Sequence, residues 1–227
     1  MASKGRRRVE KAAARILIVD DHPIVRKGIA KLLSDEGDFT VCGEADSPET
    51  AMQAVTAMKP DVAIVDLTLP GSGGLGLIKD LRVWHPQVRI LVLSMHDESL
   101  YAERVLRAGA VGYIMKQEAT DHIVEAVRRV LAGQVYLSEP MSARMLHRLV
   151  GEEGASARAS SIETLSDREL EIFQLIGQGL GTREVAGRLF LSVKTVETHL
   201  EHIKTKLGLG SGRELVRYAT KWAEEEL

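Results

Sequence analysis

RILIVDD (15–21), DVAIVD (61–66), RILVLS (89–94) and VGYIMK (111–116) decide the fold of this 227-residue chain. Each is a short, β-branched apolar run bounded by turn or helix signals, the pattern of a strand buried on both faces of a parallel sheet. FTVCGEA (39–45) supplies a further strand. Helical patterns stand between the runs. Val25, Ile29, Leu32 and Leu33 form an apolar stripe behind Pro23, and Ser47-Pro48-Glu49 opens a second helix with a cap, a first-turn proline and an early acid. Further helices are expected at about 74–84, 97–107 and 119–132. Strand and helix alternate five times, so the expectation is an α/β fold, a doubly wound five-stranded parallel sheet with right-handed crossovers.

In such a sheet ligands bind beyond the carboxyl ends of the strands. The four runs end on Asp20-Asp21, Asp66, Ser94 and Lys116. Three carboxylates, a hydroxyl and an ammonium are thus expected at one edge. Crowded carboxylates suit a hard divalent cation such as Mg²⁺, which takes oxygen ligands and relieves their repulsion. With charge offset in this way, one carboxylate can act as a nucleophile on a phosphoryl group. Asp66 is the candidate, because it ends a middle strand and precedes an irregular loop. Lys116 can hold the phosphoryl oxygens, and Ser94 can donate to them. Taken singly, Asp20 can read as a helix cap, Lys116 reads more often as a solvated lysine than a functional one, and Tyr113 reads equally as core packing. GSGGLG (71–76) lacks the phase of a dinucleotide loop and reads as a flexible turn.

Residues 133–164 form a boundary, helical from about Pro140 to Val150 and then flexible through GEEGASARASS (151–161). Beyond it the period is purely helical. Ser166 with Glu169, and Ser211 with Glu214, have capping-box spacing. TREVAGRLF (182–190) and SVKTVETHLEHIKTKLG (192–208) make a helix-turn-helix, the longer helix with a stripe of Val193, Val196, Leu200, Ile203 and Leu207. That stripe leaves Lys194, Thr195, Thr198, Glu201, His202 and Thr205 outward, with Ser192 as cap and Lys194, Lys204 and Lys206 as candidate phosphate contacts. Residues 161–227 hold nine Lys/Arg against eleven Asp/Glu, so this half has no basic excess. Glu201 has the spacing to pair with Lys204. His199 and His202 stand three apart without an evident third metal ligand, and read as surface or groove-facing histidines. Leu215, Val216, Ala219 and Trp222 form a stripe that serves equally as core or as a dimer face.

Composition is ordinary, with 44% hydrophobic and 27% charged residues and a net charge of −2. There is no apolar run of membrane-spanning length and no secretory signal pattern, and the single Cys42 reads as a small buried residue in a reducing compartment. A cytoplasmic protein without membrane contact is expected. Residues 1–14 form a basic tail.

Asp20-Asp21, Asp66 with the following LTLPG, Ser94 and Lys116 resemble, in order and spacing, a two-component receiver domain. LSDRELEIFQLIGQGLGTREVAGRLFLSVKTVETHLEHIKTKLGL (165–209) resembles the LuxR-type helix-turn-helix of NarL/FixJ response regulators. The first resemblance implies a flavodoxin-like 2-1-3-4-5 sheet and phosphoryl transfer from a sensor histidine kinase to Asp66. It also implies Mg²⁺ on Asp20, Asp21, Asp66 and the Thr68 carbonyl, with Ser94 and Tyr113 as switch positions. The second implies promoter binding, as a homodimer on activation, through Thr182, Ser192, Lys194, Thr195, Glu197, Thr198, Glu201 and Lys204. Glu197 and Glu201 depart from many relatives, which carry basic or neutral residues there. The domains expected are a receiver over 15–135, a partly helical linker over 136–161 and a DNA-binding domain over 162–227. The protein is expected to be no enzyme. Two rivals remain: a regulator that works unphosphorylated or through protein partners, and a Mg²⁺-dependent phosphohydrolase, which would want an acid where Thr68 stands.

Overall fold

The computed structural model describes residues 13–71, 73–150 and 162–225. The basic tail up to residue 12 and the GEEGASARASS connector lie outside the described residues. Five parallel strands, β1 (Ala14–Val19), β2 (Phe39–Ala45), β3 (Val62–Val65), β4 (Arg89–Ser94) and β5 (Gly112–Met115), lie in the order β2-β1-β3-β4-β5. This is the expected doubly wound sheet. Side chains alternate between its two faces, as the two-residue period of a strand dictates. Ile16, Ile18, Ile64, Leu91 and Leu93 join one apolar cluster, whereas Leu17, Val19, Val65, Ile90 and Val92 join the other.

Helices α1 (Pro23–Ser34) and α5 (Ala119–Leu131) cover the first face with Ile29, Leu33, Ile123, Val127 and Val130. Helices α2 (Pro48–Met58), α3 (Gly73–Trp84) and α4 (Glu98–Ala108) cover the second. Local chemistry sets their ends. Ser47 and Thr50 cap α2 reciprocally, Asp97 caps α4, and Gly109 ends α4 at φ 118°. Cys42 is half-buried, its Sγ donating to the Ile16 carbonyl at 3.4 Å.

The chain after α5 stays attached to the sheet. Tyr136 bridges Gly112 beside β5, and the buried Glu98 carboxylate accepts from the Ser138 amide at 3.0 Å. Helix α6 (Glu139–Val150) follows, with Met141 in the core. The helical half consists of α7 (Asp167–Gly177), α8 (Thr182–Arg188), α9 (Val193–Leu207) and α10 (Gly212–Glu225). Its centre is Phe173, with Tyr218 and Trp222 at ring distances of 5.9 and 5.5 Å. Leu215 and Ala219 are buried beside them, so the stripe on α10 is largely core; only Val216 faces out, 48% exposed.

Three local expectations change. Helix α8 stops at Arg188 rather than running through Phe190, because Phe190 turns left-handed at φ 54°. The stripe on α9 buries Val196 and Ile203 and half-buries Leu200 and Leu207, but leaves Val193 exposed at the first turn. At the start of α10, Ser211 accepts from the Glu214 amide, but the Glu214 carboxylate takes the Gly210 amide instead of completing the reciprocal pair.

Candidate functional site

Register builds the acidic edge. Val19 pairs with Val65 across β1 and β3, and the Asp66 amide donates to the Val19 carbonyl at 2.8 Å. Asp20 and Asp66, each the next residue along, are therefore brought side by side, and both are only 1% exposed. Lys116, leaving β5 in a short 3₁₀ turn, reaches Asp20 Oδ2 at 2.7 Å and Asp66 Oδ2 at 2.8 Å. Burial pushes the Asp66 carboxyl above the usual carboxylate range, with the Lys116 ammonium opposing. Burial pulls Lys116 down, but the two carboxylates outweigh it and hold its ammonium above the ordinary lysine value. The site thus holds one cation against two buried carboxylates.

Asp21 stands exposed at the rim, with His22 Nδ1 2.6 Å from its carboxylate. Asp20 Oδ1 accepts the His22 amide at 2.8 Å, so Asp20 also turns the chain into α1. The oxygens of Asp20, Asp21 and Asp66 and a His22 nitrogen lie within 4.8 Å of one another. Among the described residues, Asp20 Oδ2 takes no backbone or hydroxyl donor and meets only the Lys116 ammonium, at 2.7 Å. An oxygen-rich set with an undersatisfied buried member fits a hard cation such as Mg²⁺. Thr68 is exposed beside it, its amide donating to Asp66 Oδ1 at 3.2 Å.

GSGGLG is more than a flexible turn. Gly73 and Gly74 begin α3, and a Cβ on Gly74 would lie 2.0 Å from the Asp66 carbonyl oxygen. Only glycine lets α3 approach the backbone of the acidic residue so closely.

Ser94 and Tyr113 are both fully buried, and one loop residue joins them. Ser94 Oγ accepts the His96 amide at 3.2 Å, and the Tyr113 hydroxyl donates to the His96 carbonyl at 2.7 Å. The His96 ring lies 3.2 Å from the Thr68 hydroxyl and stacks on Tyr101 at 4.9 Å. Burial and the nearby Lys116 charge depress the imidazole below its ordinary pKa. The sequence reading passed over His96; its only signal was its place two residues beyond the Ser94 strand end.

The predicted DNA face is built less uniformly. Lys194, Glu197, Thr198, Glu201, His202 and Thr205 are exposed along α9, while Thr195 is half-buried. Ser192 caps the helix, its Oγ accepting the Thr195 amide at 3.0 Å. Thr182 starts α8. Glu201 pairs with Lys204 at 2.8 Å, as its spacing predicted. Lys206 instead turns to Glu169, Nζ to Oε2 at 2.5 Å. Glu169 also supplies what the sequence did not show, an oxygen within 4.8 Å of nitrogens from both His199 and His202.

Comparison with known proteins follows this division. Residues 16–128 match the model of the response regulator receiver domain, and residues 163–219 match that of the bacterial regulatory proteins of the luxR family. The chain is 40% identical over 210 residues to the oxygen regulatory protein NreC of Staphylococcus carnosus, covering 91% of this chain and 97% of that one. Among solved structures it is similar to RcsB from Salmonella enterica serovar Typhimurium bound to promoter rprA in the presence of phosphomimetic BeF3−, with TM-score 0.66 and 27% identity over 92% of this chain and 98% of that one. It is also similar to the response regulator ChrA of a heme-sensing two-component system, with TM-score 0.51 and 30% identity over 93% of this chain and 98% of that one. The sheet order, the two family matches and the near full-length likeness to NreC make this chain a response regulator of the NarL/FixJ type, a receiver domain joined to a LuxR-type helix-turn-helix.

Proposed function

We propose that Asp66 is the residue through which this phosphorylation-controlled transcription regulator is switched, and that a sensor histidine kinase is the donor. An Asp66 carboxylate oxygen attacks phosphorus, the bond to the kinase imidazole breaks, and an acyl phosphate forms on Asp66. The observation that carries this reading is the buried Asp66–Lys116–Asp20 constellation, with its lysine 2.8 and 2.7 Å from the two acids. Mg²⁺ on Asp20, Asp21, Asp66 and the Thr68 carbonyl would offset the charge of the incoming group. Lys116 then holds the non-bridging phosphoryl oxygens. Ser94 gives up the His96 amide and donates its hydroxyl to the same oxygens, and Tyr113 follows because it grips the same residue.

The division proposed is a tail over 1–14, a receiver over 15–135, a linker over 136–161 and a DNA-binding domain over 162–227. Helix α9 enters the major groove, and Thr182, Ser192, Lys194, Thr195, Glu197, Thr198, Glu201 and Lys204 face the duplex. The acidic balance of this half argues that one copy binds weakly, so activation works by dimerisation, which raises the effective concentration of the second half-site. The chain acts as a binder, not a turnover enzyme. RcsB, a relative by structure, was solved with promoter DNA and a phosphomimetic, which supports this order of events.

The test is intact-mass analysis after incubation with acetyl phosphate and Mg²⁺, wild type beside Asp66→Asn. One added phosphoryl group, lost in the variant and without Mg²⁺, is expected. No adduct, together with no binding of beryllofluoride, would overturn the assignment.

A further inference from the structure

Glu169, His199 and His202 form a cluster that phosphoryl transfer does not use. Glu169 is the third residue of α7, and the histidines stand one turn apart on α9, the spacing that puts two side chains on one helix face. One ligand atom from each lies within 4.8 Å of the other two. Glu169 is 4% exposed, and its carboxylate is already oriented. Oε2 accepts both the Ser166 amide at 2.6 Å and the Lys206 ammonium at 2.5 Å. Oε1 is left toward His202, whose Nδ1 is 3.9 Å away. His199 Nδ1 is buried without a hydrogen-bond partner among the described residues, a position that ordinarily carries a cost.

From this geometry we propose a metal site in the DNA-binding half, taking a borderline divalent transition metal, with Zn²⁺ as its natural occupant. Two imidazoles and one carboxylate are a common three-ligand set for zinc, with water in the fourth position. Imidazole nitrogen also discriminates against Mg²⁺, so the cluster would not compete for the ion of the acidic edge. Tetrahedral ligands at zinc distances stand about 3.3 Å apart, so the cluster must close by roughly an ångström. The His202 side chain, 61% exposed, is free to make that movement. Lys206 and the Ser166 amide hold the distal carboxylate oxygen, the part that outer hydrogen bonds usually play around a ligand. Coordination through Nδ1 would give the buried His199 nitrogen its partner, and the ion fastens the middle of α9 to the first turn of α7. It also adds positive charge to a half of the chain that has nine basic and eleven acidic residues.

The full chain, stripped with chelator and kept in excess Mg²⁺, is titrated with Zn²⁺ against a chromophoric competitor, and separately with Co²⁺ for its visible spectrum. His202→Ala changes an exposed side chain and leaves the fold intact by circular dichroism. Asp21→Asn controls for Zn²⁺ on the acidic edge. The expected result is one Zn²⁺ per chain in the wild type and in Asp21→Asn, with affinity at least about tenfold weaker in His202→Ala. The wild type should also give the intense bands of tetrahedral Co²⁺, absent from His202→Ala. Equal Zn²⁺ affinity in wild type and His202→Ala, or no Zn²⁺ bound in either, overturns the site.

Discussion

Lys116 does two jobs that pull in different directions. In the proposed switch it holds the phosphoryl oxygens, and in this structure it is the counter-ion of two buried acids. Its ammonium sits 2.7 Å from Asp20 Oδ2 and 2.8 Å from Asp66 Oδ2, and both carboxylates are almost fully buried. Removing one partner of a buried ion pair leaves uncompensated charge, which typically costs about 3–5 kcal/mol. Lys116→Ala should therefore destabilise the receiver by about that amount in urea unfolding without divalent cations. Millimolar Mg²⁺ should recover more stability in the variant than it adds to the wild type, because the ion then supplies the missing positive charge. A variant as stable as wild type in chelator would mean that water reaches the two acids and that their burial is only geometric. Asp20, Asp66 and Lys116 were readable from sequence because strand ends in a parallel sheet must converge. His96 was not, since its importance comes from which backbone groups it offers to Ser94 and Tyr113, and those are fixed only by the folded loop.

The turn between α8 and α9 shows what an element owes to a single backbone angle. Phe190 adopts φ 54° with its ring 75% exposed, so the strain is not repaid by burial of the side chain. A non-glycine residue in the left-handed region costs on the order of 1–2 kcal/mol, and glycine avoids this while giving back part through chain entropy. Phe190→Gly should raise the stability of the helical half by about 1 kcal/mol, read as a higher thermal midpoint. An unchanged or lowered midpoint would show that the exposed ring makes contacts worth more than the strain. This angle also explains why the end of α8 was misplaced by two residues. GRLFL continues an apolar, helix-compatible pattern, and left-handed turns are usually announced by glycine or asparagine. By contrast, all five strands, the caps at Ser47 and Ser166 and the stop at Gly109 followed from local chemistry and stand as expected. What sequence could not show is contact across distance. Gly74 against the Asp66 backbone, and Glu169 against α9, depend on how elements pack, and neither spacing nor composition encodes it.

Across the whole molecule, the two halves meet through α4 and α3. The buried Tyr101 hydroxyl donates to Gln174 Oε1 of α7 at 2.6 Å, while Asp167 takes Arg104 at 3.2 Å and Lys79 at 2.8 Å. Tyr101 also stacks on His96, the residue whose backbone holds Ser94 and Tyr113. A contiguous set of contacts therefore runs from the acidic edge to the helix-turn-helix scaffold. In this arrangement the outward side chains of α9 stay exposed, so docking restrains the position of the DNA-binding half without burying its predicted reading face. The contacts differ in weight. Lys79 is 56% exposed, and an ion pair of that kind contributes about 0–1 kcal/mol. Tyr101→Phe keeps the ring and its stacking but leaves Gln174 Oε1, on a side chain only 8% exposed, without its donor, a loss of about 1–3 kcal/mol. The expected outcome is faster hydrogen exchange across α7 in unphosphorylated Tyr101→Phe, with the β-sheet amides unchanged, and a smaller acetyl phosphate requirement for dimer formation in sedimentation. Lys79→Ala should move neither measurement appreciably. If Tyr101→Phe exchanges like wild type, the halves are held by their shared apolar core and by the bonds of Arg104 to Asp167 and Glu163, and the link between Ser94 and the DNA-binding half must run through the packing of α4 rather than through the Tyr101 hydroxyl.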